Sequence, residues 1–205
     1  PIANHLTEAG VVAVKADSPN KTIEELVAAA KEKGNLKAST NGNKASNHTA
    51  AQLLAKSAGF KYKAIPYGGT ADQLLALRQG EVDFTCAKVA DVAKLVKGDK
   101  PELRVLAVFN TKRDPELPNV PTLGEKGLYP EWYGSARALV APKGTKPEVI
   151  QYYVEAFKKT MQDPAVIEAH KKAGMALDFK DNKELGDLIK AQDKFARDVV
   201  NDLYK

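Results

Sequence analysis

Short β-branched apolar runs alternate along the chain with longer stretches whose apolar positions recur about every three to four residues, the signature of βα units and a largely parallel sheet. The runs predict strands at Val11 to Ala16, Leu36 to Ser39, Lys61 to Ile65, Val82 to Cys86, Leu103 to Phe109 and Ala136 to Ala141. The helices between them have readable ends. Thr22 with Glu25 forms a capping box and Gly34 stands where a C-terminal glycine belongs. Ser46 or Asn47 caps a helix through Ala58, and Thr70 caps one through Gln79 with Gly80 beyond its end.

The last third is helical. Pro147 and Pro164 each open a helix at its first position, the former with an apolar face of Ile150, Val154, Phe157 and Met161. Asp181 with Glu184 is a second capping box, leading a terminal helix with Leu185, Leu188, Ile189, Phe195 and Val199 inward. Between Asn110 and Pro142 the chain is rich in Pro and Gly and reads as a crossing segment rather than a packed layer. The division predicted is an α/β lobe at 1–109, a crossing at 110–135, and a strand with C-terminal helices of another lobe at 136–205. The fold class is α/β, a mostly parallel sheet flanked by helices.

Composition narrows the function classes. With 205 residues, 43% apolar and 28% charged, the chain has the balance of a soluble globular protein. No run approaches the roughly eighteen apolar residues of a membrane span, and the first residues carry no charged region followed by an apolar one, so the chain reads as mature or trimmed. The single cysteine, Cys86, forms no internal disulfide and has no His or Cys at metal spacing. A net charge of +5 favours anionic partners, but no basic cluster is interleaved with aromatics, so nucleic acid is not expected.

Two places repeat one arrangement, in which a strand ends, a loop of Gly, Ser, Thr and Asn follows, and a helix begins. The first is Ser39, Thr40, Asn41, Gly42, Asn43, Lys44, Ala45 and Ser46; the second runs from Tyr67 through Gly68, Gly69 and Thr70 to Ala71. The first turn of a helix leaves N–H groups without intrahelical partners and carries partial positive charge, so it stabilises a carboxylate or phosphate. In open α/β sheets such loops gather at the carboxyl ends of the strands. P-loop and dinucleotide spacings are absent, and no cofactor is expected. Ordinary βα turns share these residue types, so each loop alone is also read as a plain turn.

An enzyme reading rests on His48 as a base for Ser39 or Ser46, or on Cys86 as a nucleophile. His48 in a first helical turn also reads as a capping or packing residue, and Cys86 as a small buried apolar one. Asp83 either accepts from a ligand or caps a loop. Lys44 and Lys88 fall at loop and strand ends on the ligand side, where either pairs with a carboxylate or simply faces solvent.

The string Pro66-Tyr67-Gly68-Gly69-Thr70-Ala71, then Leu74 and Gly80-Glu81-Val82-Asp83, resembles the P-Y-x-G-x-A…G-x-V-D pattern of the solute receptors of tripartite tricarboxylate transporters, the Bug receptors. The resemblance continues through Leu103 to Val108, Lys112-Arg113, Leu117 to Thr122 and Ala141 to Thr145, and covers the chain in order from about Glu25. It implies a type II-like periplasmic binding protein whose two lobes close on a small organic di- or tricarboxylate or an amino acid and deliver it to membrane permease subunits. Residues 39–46 resemble the family's S-x-G-x-G-S loop; Gly69, Thr70 and Ala71 resemble its second ligand loop; Cys86, Ala87 and Lys88 fall in a third segment at the cleft.

Three departures matter. Lys44 stands where the family usually has its second glycine, in a loop one residue longer. Ala87-Lys88 replaces the Asp-Asn pair of many members. Both add positive charge, which points to a solute with more than one carboxylate. Family members also begin with roughly a further third of chain carrying a binding loop of the other lobe, so the second lobe is expected to be incomplete.

Overall fold

The computed structural model describes residues 1–204. Six strands, β1 (Ala3–Lys15), β2 (Lys37–Thr40), β3 (Lys63–Pro66), β4 (Phe84–Lys88), β5 (Leu103–Phe109) and β6 (Gly134–Leu139), alternate with helices α1 (Ile23–Lys33), α2 (Ser46–Ala58), α3 (Thr70–Gln79), α4 (Val89–Val92), α5 (Pro147–Met161), α6 (Pro164–Lys172) and α7 (Asn182–Phe195). A π-helical turn, Ala196–Val200, and a last turn, Asn201–Leu203, continue α7.

The sheet order is β3-β2-β4-β1-β5, with β6 pairing β1. The α/β class holds and the sheet is mixed. β2 runs parallel to β3 and β4, whereas β1 is antiparallel to β4 and β5. An amphipathic βα pattern predicts parallel neighbours, but β1 enters between β4 and β5 from outside that series. β1 also begins eight residues before the predicted strand, because Ala3, Asn4, Leu6, Glu8 and Ala9 are themselves buried.

Two compact units result. One comprises Ala9–Ser135; the other comprises Pro1–Glu8 with Ala136–Lys205. The chain passes from one to the other within β1 and again within β6.

The first unit holds the five-stranded core. Val11, Ala13, Leu74, Leu77, Val82, Leu103 and Val108 form one apolar cluster. Phe60, Tyr62 and Phe84 pack edge to face with centroids 5.6 to 6.4 Å apart. The Pro- and Gly-rich stretch after β5 belongs to this unit and is packed, contrary to its sequence reading. Leu117, Thr122 and Leu123 are buried, and Val108 and Thr122 form a parallel bridge. Pro and Gly forbid regular structure there but say nothing about burial.

In the second unit Ile2, Ala3 and Val154 form a small core joined by Ile150, Phe157 and Phe179. Both proline-led helices start as predicted, and Asp163 accepts from Ala165 N–H. The Asp181–Glu184 box closes on α7, whose Leu185 is buried; Ile189, expected inward, is exposed. Among the described residues no helix is long and apolar enough to cross a membrane.

The Thr22–Glu25 box is reciprocal at 3.2 Å in both directions, and Gly34 ends α1 at φ 65°. α2 and α3 end likewise, at Gly59 and Gly80. Their amino ends are built differently.

Candidate functional site

Because β2, β3 and β4 are mutually parallel, the segments that follow them leave the sheet at the same end. After β2 comes the loop Asn41 to Ala45, after β3 the loop Tyr67 to Gly69, and β4 runs directly into the short α4. Tyr67 N–H donates to Thr40 C=O at 2.9 Å, tying the first two together.

The N-cap residues of α2 and α3 make no side-chain cap, although in α2 Asn41 Oδ1 reaches forward to accept from Asn47 N–H at 3.3 Å. The N-cap of α2 is Ala45 and that of α3 is Gly69, so Ser46 and Thr70, expected as caps, are the first helical residues. The helices begin one residue earlier than a hydroxyl cap requires, and each starts with the partial positive charge of its first turn. At Gly69 a Cβ would meet nothing within 4 Å. The α2 loop is shaped by Gly42, at φ 125°, and by Lys44 at φ 58°. Lys44 is thus in a left-handed conformation where glycine costs least, at the position where the resemblance led us to expect one. Its N–H donates to His48 Nδ1 at 2.9 Å.

Beneath the loops lies a buried polar network. Asn47 Nδ2 donates to Gln73 Oε1 at 2.9 Å, joining α2 to α3. Gln73 Nε2 donates to Cys86 C=O at 2.6 Å and to Thr85 Oγ1. Thr85 Oγ1 donates to Ser39 C=O at 2.9 Å and receives Ser39 Oγ–H at 3.0 Å. Lys88 Nζ donates to Asn47 Oδ1 at 2.6 Å and Ser46 Oγ at 3.3 Å. Tyr133 O–H donates to Ser46 C=O at 3.2 Å. The ends of β2 and β4 and the starts of α2 and α3 are therefore held by one set of hydrogen bonds.

The sequence-selected residues sort into two layers. Asn41, Gly42, Ala45, Ser46, Gly69 and Thr70 are half-buried, and Lys44 and Ala71 are exposed. Ser39, Thr40, Cys86, Ala87 and Lys88 are buried. Gln73 and Thr85 carry no site expectation from the sequence, and Asn47 carries only that of a helix cap. Gln73 carried a readable signal, since a polar residue four positions before Leu77 sits on the apolar face of its helix.

The chemistry proposed for an enzyme is poorly served. Burial pushes the Cys86 thiol up to about 12, which keeps it protonated at neutral pH. Burial lowers the His48 pKa from its ordinary 6.5, and its Nδ1 already accepts from the loop backbone. Asp83 turns out to cap: its Oδ2 accepts from Lys37 N–H at 2.7 Å, at the start of β2. Among the described residues no group of three or more His, Cys, Asp or Glu is placed to hold a metal ion.

The His48 shift has a measurable consequence. A depressed folded-state pKa means that the unfolded chain binds the proton more readily, so the contribution of neutral His48 is present above about pH 6.5 and is lost as pH falls through the folded value. His5, lowered by burial and then by His170 and Arg137, acts in the same sense. We expect the unfolding midpoint to drop between about pH 7 and about pH 5, and His48→Gln to flatten that dependence. A variant retaining the full slope would assign the effect elsewhere.

The profile described as "Tripartite tricarboxylate transporter family receptor" matches residues 1–203. The chain belongs to this receptor family. It is 38% identical over 152 residues to the "UPF0065 protein in gbd 5'region" of Cupriavidus necator, covering 74% of this chain and 45% of that one. The chain superimposes on a TctC solute binding protein from Polaromonas, without ligand, with a TM-score of 0.83, 28% identity, and coverage of 98% of this chain and 69% of that one. The structure of the periplasmic binding protein BugD gives a TM-score of 0.70 and 27% identity, with coverage of 86% and 59%. The chain spans about half the length of the first curated relatives it matches, 45% and 57%. Family and fold are those of solute-binding receptors rather than enzymes.

Proposed function

We propose that the chain captures a small organic carboxylate in the periplasm and presents it to the permease subunits of a tripartite transporter. The observation that carries this reading is the pair of helix starts. α2 and α3 follow parallel strands at one end of the sheet, and at neither does the N-cap residue supply a side-chain cap. The positive ends of two neighbouring helices are the complement of a carboxylate, which would compete with Asn41 Oδ1 for Asn47 N–H at the start of α2. The loop residues Asn41, Gly42, Lys44, Ala45 and Ser46 and the turn Gly69, Thr70 and Ala71 contact the solute; Ser39, Thr40, Cys86, Ala87 and Lys88 support them from below.

Catalysis is not required by anything in this arrangement. The buried thiol and the occupied imidazole leave no activated nucleophile, and a binding site needs none.

A thermal-shift series with mono-, di- and tricarboxylates, amino acids and aromatic acids tests the reading. At least one carboxylate should raise the midpoint in a concentration-dependent way and be recovered unchanged. If every acid leaves the midpoint unmoved up to about a hundred times an ordinary micromolar Kd, the receptor reading is lost for this chain.

A further inference from the structure

Away from the solute loops, and independently of the receptor reading, we infer that His5, His170 and Met161 form a site for a soft monovalent cation of the copper(I) or silver(I) type. All three line one cavity of about 320 Å³ in the second unit. The chain has only three histidines and two methionines, so two of the former and one of the latter are gathered at one place. Solute capture makes no use of them.

The hydrogen bonds fix which nitrogens carry lone pairs. His170 Nδ1 lies 2.8 Å from Val166 C=O, and a carbonyl only accepts, so in the neutral ring Nδ1 holds the proton and Nε2 the lone pair. That Nε2 faces His5 Nδ1 at 3.3 Å and accepts its proton. Two nitrogens each about 2 Å from one ion stand about 3 to 4 Å apart, so an ion slightly off their line reaches both. Val166 C=O is then the outer partner that orients a ligating imidazole. Phe157 packs edge-on against the His5 ring, with centroids 6.2 Å apart. On binding, two nitrogen–ion bonds form and the bond between the imidazoles breaks. The His5 proton moves from Nδ1 to Nε2 through solvent, and the neutral pair loses none.

The surroundings decide the kind of ion. Calcium and magnesium take oxygen ligands, and the carboxylates nearby are engaged. Glu8 Oε2 pairs with Arg137 Nη2 at 2.7 Å, which also offsets the charge of the arginine lining the cavity. Asp178 pairs with Lys180 Nζ at 2.6 Å and accepts from Thr7 Oγ1. Zinc takes three or four protein ligands, and among the described residues no group of three or more His, Cys, Asp or Glu is placed to supply them. Two imidazoles and a thioether suit a copper(I)-type ion, which prefers soft donors. His5 stands on β1, Met161 ends α5 and His170 lies on α6, so the bound ion ties strand to helices.

Silver(I) is the probe, because it keeps its oxidation state and is diamagnetic. Long-range 15N spectra of the histidine side chains read it directly. With one equivalent of silver, His5 Nδ1 and His170 Nε2 should both move upfield and His5 should become protonated on Nε2. The unfolding midpoint should rise with silver concentration. Losing a ligand costs at least what losing its outer partner does, so His5→Gln and His170→Gln should each weaken binding about tenfold or more. Met161→Leu should weaken it severalfold, and His48→Gln should bind as the wild type does. Cys86→Ala, which removes the single thiol, should keep the histidine shifts. Silver that leaves the His5 and His170 nitrogens unmoved overturns the inference, whatever the fate of any variant. So does binding that disappears with Cys86→Ala, or a His170→Gln chain that holds silver as tightly as the wild type. Zinc(II) bound more tightly than silver(I) would overturn the assignment of ion class.

Discussion

Ser46→Asp should stabilise the folded chain while abolishing solute capture. Ser46 is the first residue of α2, its Oγ is 3.3 Å from Lys88 Nζ, and the N-cap residue Ala45 supplies no side-chain cap. A carboxylate built in at this point meets the positive helix end and an ammonium at once. The folded state should gain about 0.5 to 2 kcal/mol, as acidic groups at partly buried helix starts do. The same carboxylate occupies the solute's place and repels any second anion, so affinity for succinate or a similar acid should fall by about a hundredfold. Denaturant melts and a calorimetric titration measure the two effects. Their opposite signs are what matters. A variant that loses stability and affinity together has been damaged, and one that binds as before shows that the solute does not sit at this helix start.

Gln73→Leu should be among the most destabilising single changes in the strand-rich unit. The side chain is completely buried, and its amide joins α2, α3 and β4 through Asn47, Thr85 and the Cys86 carbonyl. Leucine matches the apolar surroundings but strands the Asn47 amide and the Cys86 carbonyl without their partner. Each buried orphan costs about 1 to 3 kcal/mol, so a loss of about 3 kcal/mol is expected. For a chain of this size that lowers the midpoint by about 6 to 12 °C. Gln79→Leu, at an exposed position of the same helix, is the control and should stay within about 0.5 kcal/mol. A Gln73→Leu chain as stable as the control would mean that the network can be replaced by packing.

These two sites differ in how far they could be foreseen. The loop ending at Ser46 was recognisable from residue types alone, because Gly, Ser, Thr and Asn before an amphipathic stretch mark a βα turn whatever surrounds it. Its cap was misassigned by one position. Hydroxyl residues favour the N-cap statistically, but Ala45 and Gly69 take that place once the strand before them has been pinned to its neighbours. Gln73 shows only as a polar break in an apolar face. Its partners lie 26 residues back and 12 to 13 residues ahead, beyond the reach of any local pattern.

Features governed by neighbours within a turn or two were legible from the outset. The Thr22–Glu25 and Asp181–Glu184 boxes, the proline-led helix starts, the glycine ends of α1 and α3 and the full extent of β5 all follow from short-range backbone preferences and hydrogen bonds. Strand partnership did not follow. β1 pairs with β4 and β5, residues more than 70 positions away, and it does so in the antiparallel sense. That pairing selects which side chains are enclosed. It leaves Lys44 in solvent and closes the sheet around Lys88, because burial is a property of the whole packed unit while the two lysines look alike in their own segments. The loops could be found one at a time; the buried charge beneath them exists only once distant strands have met.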